Sequence, residues 1–480
     1  MSPSNGQRDL PSGRSNARAV VVASLAAAIA LFVSSGGCGG RTTLTADHAG
    51  DDGSSAGSAG THDGGKADTS VAGGGSAGGF GTDASPGCAV QVSAGYNHTC
   101  ALRGDGTLWC WGSNWNGELG DGTTAGLSCE NGMRCRPTPA QVTALGANVV
   151  EVSAGAGHSC ALKADGTLWC WGANGYGELG DGTAVNNPSP VQVVALGTDV
   201  SGVSAGYSHT CALKIDGTLW CWGYNCNGQL GDGTTVLKPS PVQVTALGTS
   251  VSGVSAGTYH TCARKSDGSL WCWGNNANGQ IGDGTTSGQI CDNGMPGKLS
   301  PVQVASLGTS VTGVSAGEWH TCARTKDGNL WCWGDNGHGQ LGNATTVGLS
   351  SPNQVTALGA SVVALSAGDL HTCAVRGDDT LWCWGNNWGG QIGDGTSAGP
   401  LCFNAEPCES SPVQVTALGA GVVEVSASGG HTCARKFDGT LWCWGGDNWG
   451  ELGTGTLNAP ACNIGIRCRP SPTQVALPCS

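Results

Sequence analysis

Charge is scarce in this chain: Asp, Glu, Lys and Arg make up 11% of 480 residues, and Lys and Arg together number only 21. A formal charge of −13 leaves no basic footprint for a phosphate backbone, which excludes nucleic acid as a partner. Phenylalanine is nearly missing at 4 residues, and no helical periodicity runs through the body of the chain. There is no phosphate loop, no zinc-protease helix and no carboxylate pair that spacing would place together, so no catalytic set, metal or cofactor is expected. The longest apolar run, Ala19 to Val33, holds 15 residues and is too short for a comfortable membrane span.

What is abundant is unusual. Glycine numbers 85, tryptophan 18 and cysteine 25. So many thiols, at spacings foreign to metal sites, point to an oxidising compartment. Arg8, Arg14 and Arg18 precede the apolar run, which ends in Ser35-Gly36-Gly37-Cys38. Residues 1–37 therefore read as a signal peptide of lipoprotein type, with Cys38 as the lipidated residue; Ser35 stands where an aliphatic residue is usual, so cleavage without a lipid and an uncleaved anchor stay open. The expected location is a bacterial cell envelope, as an outer-membrane or surface lipoprotein, or alternatively the medium. Residues 38–87 read as a Gly/Ser-rich disordered tether, because the segment lacks the large apolar side chains that offset ordering. As a coil it spans roughly 35 to 42 Å.

Beyond Cys88 one phrase recurs seven times. In the second copy it runs Val152-Ser153-Ala154-Gly155-Ala156-Gly157-His158-Ser159-Cys160, then Asp165-Gly166-Thr167-Leu168-Trp169-Cys170-Trp171-Gly172, then Gly177-Glu178-Leu179-Gly180-Asp181-Gly182-Thr183. The first cysteines of the copies fall 51 or 60 residues apart, a 51-residue unit with an optional insertion of nine. Four short strands are expected per copy, in the second near Val149 to Ala154, His158 to Lys163, Thr167 to Trp171 and Pro190 to Val194. Four-stranded units repeated seven times describe an all-β, seven-bladed propeller over residues 88–480.

The loop Ala164-Asp165-Gly166 registers the middle hairpin with Cys160 facing Cys170. Leu162 and Leu168 then share one face, and Ala161, Trp169 and Trp171 point to the other. Seven cross-hairpin disulfides follow: Cys100–Cys110, Cys160–Cys170, Cys211–Cys221, Cys262–Cys272, Cys322–Cys332, Cys373–Cys383 and Cys433–Cys443. Three insertions carry pairs six apart, Cys129–Cys135, Cys402–Cys408 and Cys462–Cys468. In the fourth copy Gly297 replaces the second cysteine, so Cys291 is paired with Cys226 of the third. Cys88–Cys479 would lock the ring, and Cys38 is left for the lipid. Zinc on the paired cysteines is the weaker alternative, since the partners already face each other.

These copies resemble the repeats of the regulator of chromosome condensation family along residues 88–480. The resemblance implies a seven-bladed propeller. Three positions depart from it: Ala427-Ser428-Gly429 and Thr454 in the last copy, and Asn343-Ala344 in the fifth. The family's founding activity, nucleotide exchange on a nuclear GTPase, is the function this acidic, exported sequence supports least. A secreted bacterial protein of similar repeats inhibits β-lactamases by pressing one propeller face onto them, which implies one form that binding takes on this scaffold.

Three copies hold Gly-x-Ser-x-Gly, as in Gly202-Val203-Ser204-Ala205-Gly206, but without the strand-to-helix elbow of a hydrolase. His98, His158, His209, His260, His320, His371 and His431 recur once per blade and are expected to satisfy backbone groups where strands turn. Phrases such as Gly231-Asp232-Gly233-Thr234 lack the run of oxygen ligands that calcium requires and read as turns. Side chains that differ between copies are better candidates for function. Trp115, Tyr176, His338, Trp388 and Trp449 vary on the connection between third and fourth strands, where the insertions add Arg134, Phe403 and Arg467. The expected function is a surface-tethered module, monomeric and not an enzyme, presenting this face to a protein or glycan, with inhibition of a secreted enzyme as one specific form. The competing class is a lyase or hydrolase acting on a glycan or small molecule at the propeller axis.

Overall fold

The computed structural model describes residues 41–44, 88–129, 132–291, 294–462 and 465–477. Seven antiparallel sheets follow one another along the chain, each made from one contiguous copy of the repeat. In the second blade Val149–Ala154, His158–Lys163, Leu168–Gly172 and Asn187–Gln192 pair in chain order across the sheet. First strands of successive blades lie against one another around the axis, and that of the seventh, Val422–Ala427, meets that of the first, Ala89–Ala94. The fold is the expected all-β propeller of seven four-stranded blades.

The hairpin register is the one the loop dictates. Cys160 stands opposite Cys170, Ala161 opposite Trp169 and Leu162 opposite Leu168. Gly166 takes φ 76°, a conformation that any side chain would strain. Asp165 Oδ1 accepts from the Thr167 backbone and hydroxyl, and that hydroxyl accepts from the Trp169 indole. Thr167 is thereby held in the turn, and the third strand starts one residue later than expected. The fourth strand starts at Asn187, opposite Gly172, bulges before Val191 and ends at Gln192. It stops two residues short of Val194 because Val194–Leu196 coil into a 3-10 turn that buries Leu196.

Both faces of each blade are apolar because each is covered by a neighbour. Leu168, Leu179, Val193 and Leu196 of the second blade pack with Val203, Ala212 and Trp222 of the third. The ring closes with the same set: Cys433, Leu441 and Leu452 of the seventh blade pack with Ala89, Val92, Ala101 and Trp111 of the first. Fully burying one such indole contributes roughly 4–6 kcal/mol of transfer free energy.

All seven cross-hairpin disulfides are present, each with Cα atoms 4.1 Å apart. The three insertion pairs, Cys129–Cys135, Cys402–Cys408 and Cys462–Cys468, are present as well. These ten bonds do not include Cys226–Cys291, yet both thiols act on the Tyr224 hydroxyl, whose pKa is pushed up by burial first, then by a hydrogen bond with Cys226 and by the nearby Cys226, Tyr176 and Cys291. Cys88 lines a cleft with Gly439 and Gln474 to Leu477, while its expected partner Cys479 lies outside the described residues. Cys38 and residues 1–37 also lie outside them. Within the segment read as a tether, Arg41–Leu44 is extended and pairs antiparallel with the first strand of the fourth blade, Arg41 opposite Ala256 and Leu44 opposite Gly253. The inner strand of a blade offers an unpaired edge for such an addition. Among the described residues no helix is long and apolar enough to cross a membrane.

Candidate functional site

The recurring polar residues are spent on the joints between blades. At every joint a backbone carbonyl after the glycine loop accepts twice from the next blade. Glu118 O, for example, accepts from the Ser159 hydroxyl and the Trp171 indole, at 3.0 and 2.8 Å. Glu178 O accepts from Thr210 and Trp222, and Glu451 O from Thr99 and Trp111 across the closure. The hydroxyl that donates to the carbonyl must accept from the histidine of the preceding blade. Its partner is Nε2: His158 to Thr210, His209 to Thr261 and so on, ending with His431 to Thr99, all at 2.8–2.9 Å. This fixes the Nε2–H tautomer seven times over. The histidines therefore reach across to the next blade's hydroxyl rather than satisfying backbone groups at their own turn.

Burial, with help from neighbouring imidazoles at several positions, lowers these histidines to a pKa of about 3, and His158 to about 4. They are neutral ring-builders and converge on no cleft. Among the described residues no group of His, Cys, Asp and Glu is placed to hold a metal. A second circuit uses the serine at this position of each copy, those of the Gly-x-Ser-x-Gly phrases included: Ser204 Oγ accepts from Ala256 N and Ser255 from Ala316 N, as does Ser426, outside such a phrase, from Ala94 N. Ser204 is fully buried in that role, where a nucleophile would face substrate. The departure at Ser428 fits the same scheme, its hydroxyl donating to Gly95 O of the first blade.

The loops between third and fourth strands are held from within. Asn174 Oδ1 accepts from Leu179 N while its amide donates to the Thr183 and Val185 carbonyls. The Gly231-Asp232-Gly233-Thr234 phrase is a turn, with Asp232 accepting from Thr234 N and Oγ1. The residue whose carbonyl serves the joint also caps its own loop: Glu178 Oε2 accepts from Tyr176 N, as Gln229 Oε1 does from Asn227 N. Burial pushes Glu178 up to about 7, and burial with the nearby Asp447 pushes Glu451 up to about 8.

On this frame the candidate side chains divide. Trp115 and Phe403 are exposed, at 55% and 61%, and Tyr176 is exposed while touching Tyr224 of the next blade edge-on at 4.9 Å. Arg134 and Arg467 are exposed, and Trp388 is half-buried against Gly430 of the seventh blade. His338 and Trp449 are buried and present no surface. His338 lies 3.2 Å from Glu406 and packs edge-on against Phe403, so the sixth blade's insertion covers the fifth blade's loop. The Trp449 backbone N–H donates to Oε2 of the capping Glu451 at 2.7 Å. A second aromatic set goes unread in the sequence: Tyr96, Tyr207, Tyr259 and Trp319, on the connections between first and second strands. These open on the same face nearer the axis. Tyr259 lies 5.9 Å from Tyr207 and 4.8 Å from Trp319. Their signal is present, since the two residues between the glycine and the histidine vary from copy to copy.

The model of the RCC1-like domain matches residues 52–402, and that of the regulator of chromosome condensation (RCC1) repeat matches residues 378–435 and 422–450. The ultraviolet-B receptor UVR8 of Arabidopsis thaliana is 33% identical over 373 residues, covering 76% of this chain and 78% of the receptor. The E3 ubiquitin-protein ligase HERC2 of Homo sapiens is 33% identical over 317 residues, which are 64% of this chain but only 6% of the ligase. Among solved structures, human WBSCR16 superposes with a TM-score of 0.64 at 22% identity, covering 78% of this chain and 94% of that one. Prp20p from Saccharomyces cerevisiae gives 0.64 at 22%, covering 81% and 88%. At that identity the likeness shows the fold alone. With the domain model matching well over half of its length and a relative one-third identical along most of both chains, this chain belongs to the RCC1-like domain family.

Proposed function

We propose that this chain is a protein-binding module, carried on an N-terminal tether, that presents the face bearing the loops between third and fourth strands to its partner. The observation that carries this reading is the distribution of exposed aromatics among the described residues: Trp115, Tyr176 and Phe403 stand out from three blades on one face, against Phe437 alone on the other. Arg134 and Arg467 stand beside them on insertions clamped by Cys129–Cys135 and Cys462–Cys468. Rigidly held aromatics with arginine supply contact area at little entropic cost, which is how interface anchors work. Support also comes from relatives of the same fold. Yeast RCC1 (Prp20) has been solved bound to Kap60, and Prp20p is described with its binding to Gsp1p and histones. Export behind a signal peptide and a lipid on Cys38 belong to the same proposal, as does inhibition of a secreted enzyme as its specific form.

The test is affinity capture from envelope fractions and culture fluid with the soluble propeller, beside a variant carrying Trp115→Ala, Tyr176→Ala and Phe403→Ala. A stoichiometric protein partner lost in the variant is expected, with affinity falling about a hundredfold for the three truncations together. A partner held equally by both would move the interface off this face and sink the proposal.

A further inference from the structure

The hydroxyl and serine circuits run all the way round the ring, but the edge of the first strands that faces the axis is not finished alike in every blade. In three blades the residue before the serine donates its N–H to a side chain of the preceding blade. Val152 N donates to Gln91 Oε1 at 2.9 Å, Val203 N to Glu151 Oε1 at 3.4 Å and Val92 N to Glu424 Oε1 at 3.3 Å. The other four residues at this place, Val254, Val314, Leu365 and Val425, follow Gly202, Gly253, Gly313 and Ala364, which carry no acceptor. None of the three glycines takes a positive φ, so backbone conformation does not call for glycine there. Close approach of another main chain does. Arg41–Leu44 lies against the first strands of the second to sixth blades and pairs with that of the fourth, the middle one of the three that carry glycine. Its register sets Thr43 opposite the fully buried Val254, the first N–H left without a side-chain acceptor. In residues 38–87, Thr42, Thr43, Leu44 and Thr45 are also the longest run of β-branched and aliphatic residues.

We propose that the glycine-lined side of the axis is a docking groove that recognises an extended peptide by its main chain, and that its occupant is the chain's own Arg41–Leu44, held in cis. A buried backbone N–H needs a partner, and where Gln91, Glu151 and Glu424 supply one from within the ring, Gly202 leaves the place to an added strand. The glycines at 202, 253 and 313 give that strand room, and an edge with no side-chain acceptor gives it hydrogen bonds. Recognition through the main chain asks only for an extended segment without proline at the paired position, which Thr42, Thr43 and Leu44 satisfy. The segment read as a tether is thereby fixed at two points, at the axis and at Cys88. This inference is independent of what the rim loops bind.

Between residues 38 and 87 trypsin has two sites, Arg41 and Lys66, which serve as an internal pair. In limited digestion of the full native chain, cleavage after Arg41 is expected to be at least about tenfold slower than after Lys66. Gly202→Gln sets an amide before Val254 as Gln91 stands before Val152, and should bring the two rates level. Ala364→Gln makes the same addition before Val425, away from the segment, and should leave Arg41 protected, as should Trp115→Ala and Phe403→Ala at the rim. Thr43→Pro, which removes the donor opposite Val254 without touching the propeller, should speed hydrogen exchange of the Val254 amide about tenfold. Equal cleavage at the two sites in the parent chain overturns the proposal. So does protection of Arg41 that survives Gly202→Gln in a variant melting like the parent, or Val254 exchange that Thr43→Pro does not move.

Discussion

A neutral imidazole locked in each joint makes the protein sensitive to acid. Each of the seven histidines titrates near 6.5 when unfolded and at about 3 to 4 in the folded ring. Their folded values are depressed, so the stability they contribute is complete above pH 6.5 and is lost as pH falls toward 3. Between pH 7 and 5 the loss is on the order of 1–2 kcal/mol per histidine. Summed over the ring, that rivals the whole stability of a typical domain. Glu178 and Glu451 act in the opposite sense: their folded values of about 7 and 8 lie above the ordinary 4.5, so their contribution is complete below pH 4.5 and lost as pH rises toward 8. Denaturant unfolding across pH should therefore show a maximum near neutrality and a steep acid limb beginning above pH 5. Glu451→Gln, which installs the residue that four other blades use, should lift only the alkaline limb; a flat acid limb would show that the imidazoles are not held neutral. The recurrence of these histidines is plain in the sequence, but their partners are not, because the hydroxyl each one meets lies a whole copy away.

At the scale of the hairpin the sequence is most informative, because a three-residue loop with Gly166 leaves one register and that register brings Cys160 to Cys170. The ends of the outer strand were less legible. Asn187 joins it through a bulge, and the 3-10 turn that ends it is driven by burial of Leu196, which no local pattern announces. The fourth blade is where the cysteine arithmetic matters. A Cβ on Gly297 would lie 2.8 Å from the Cys291 sulfur and 2.6 Å from the Asn227 carbonyl, so the inserted thiol reaches the third blade next to Cys226. Peptide mapping of the protein under non-reducing conditions should recover Cys226 linked to Cys291, and Cys88 linked to Cys479, beside the ten bonds already described. Recovery of Cys226 as an alkylated thiol would refute the inter-blade bond. Each hairpin bond closes a short loop and contributes about 2–3 kcal/mol in the chain-entropy model.

For the molecule as a whole, the seventh joint is built like the other six. Thr99 to His431, Ala94 N to Ser426 and Trp111 to Glu451 O repeat across the closure the contacts found within the chain. Among the described residues no strand is shared between the first and last blades. A circular permutant that opens the connection between Gln141 and Val149 and joins Leu477 to Cys88 should fold with a melting temperature within a few degrees of the parent; failure to fold would show that the natural closure is special. The number of blades was legible from the period, whereas the decorated face resolved only partly. Trp115, Tyr176 and Phe403 are exposed, but His338 and Trp449 are buried, His338 beneath the sixth blade's insertion, and a sequence does not show which neighbour will cover a loop. Because every joint donates in the same rotational sense and with the same groups, the ring has no seam. In genetic terms, unequal crossing-over between copies would gain or lose a complete blade with its bonding circuit intact, while point changes in the outward loops diversify each copy on its own. Blade number and the outward loops are thus inherited separately.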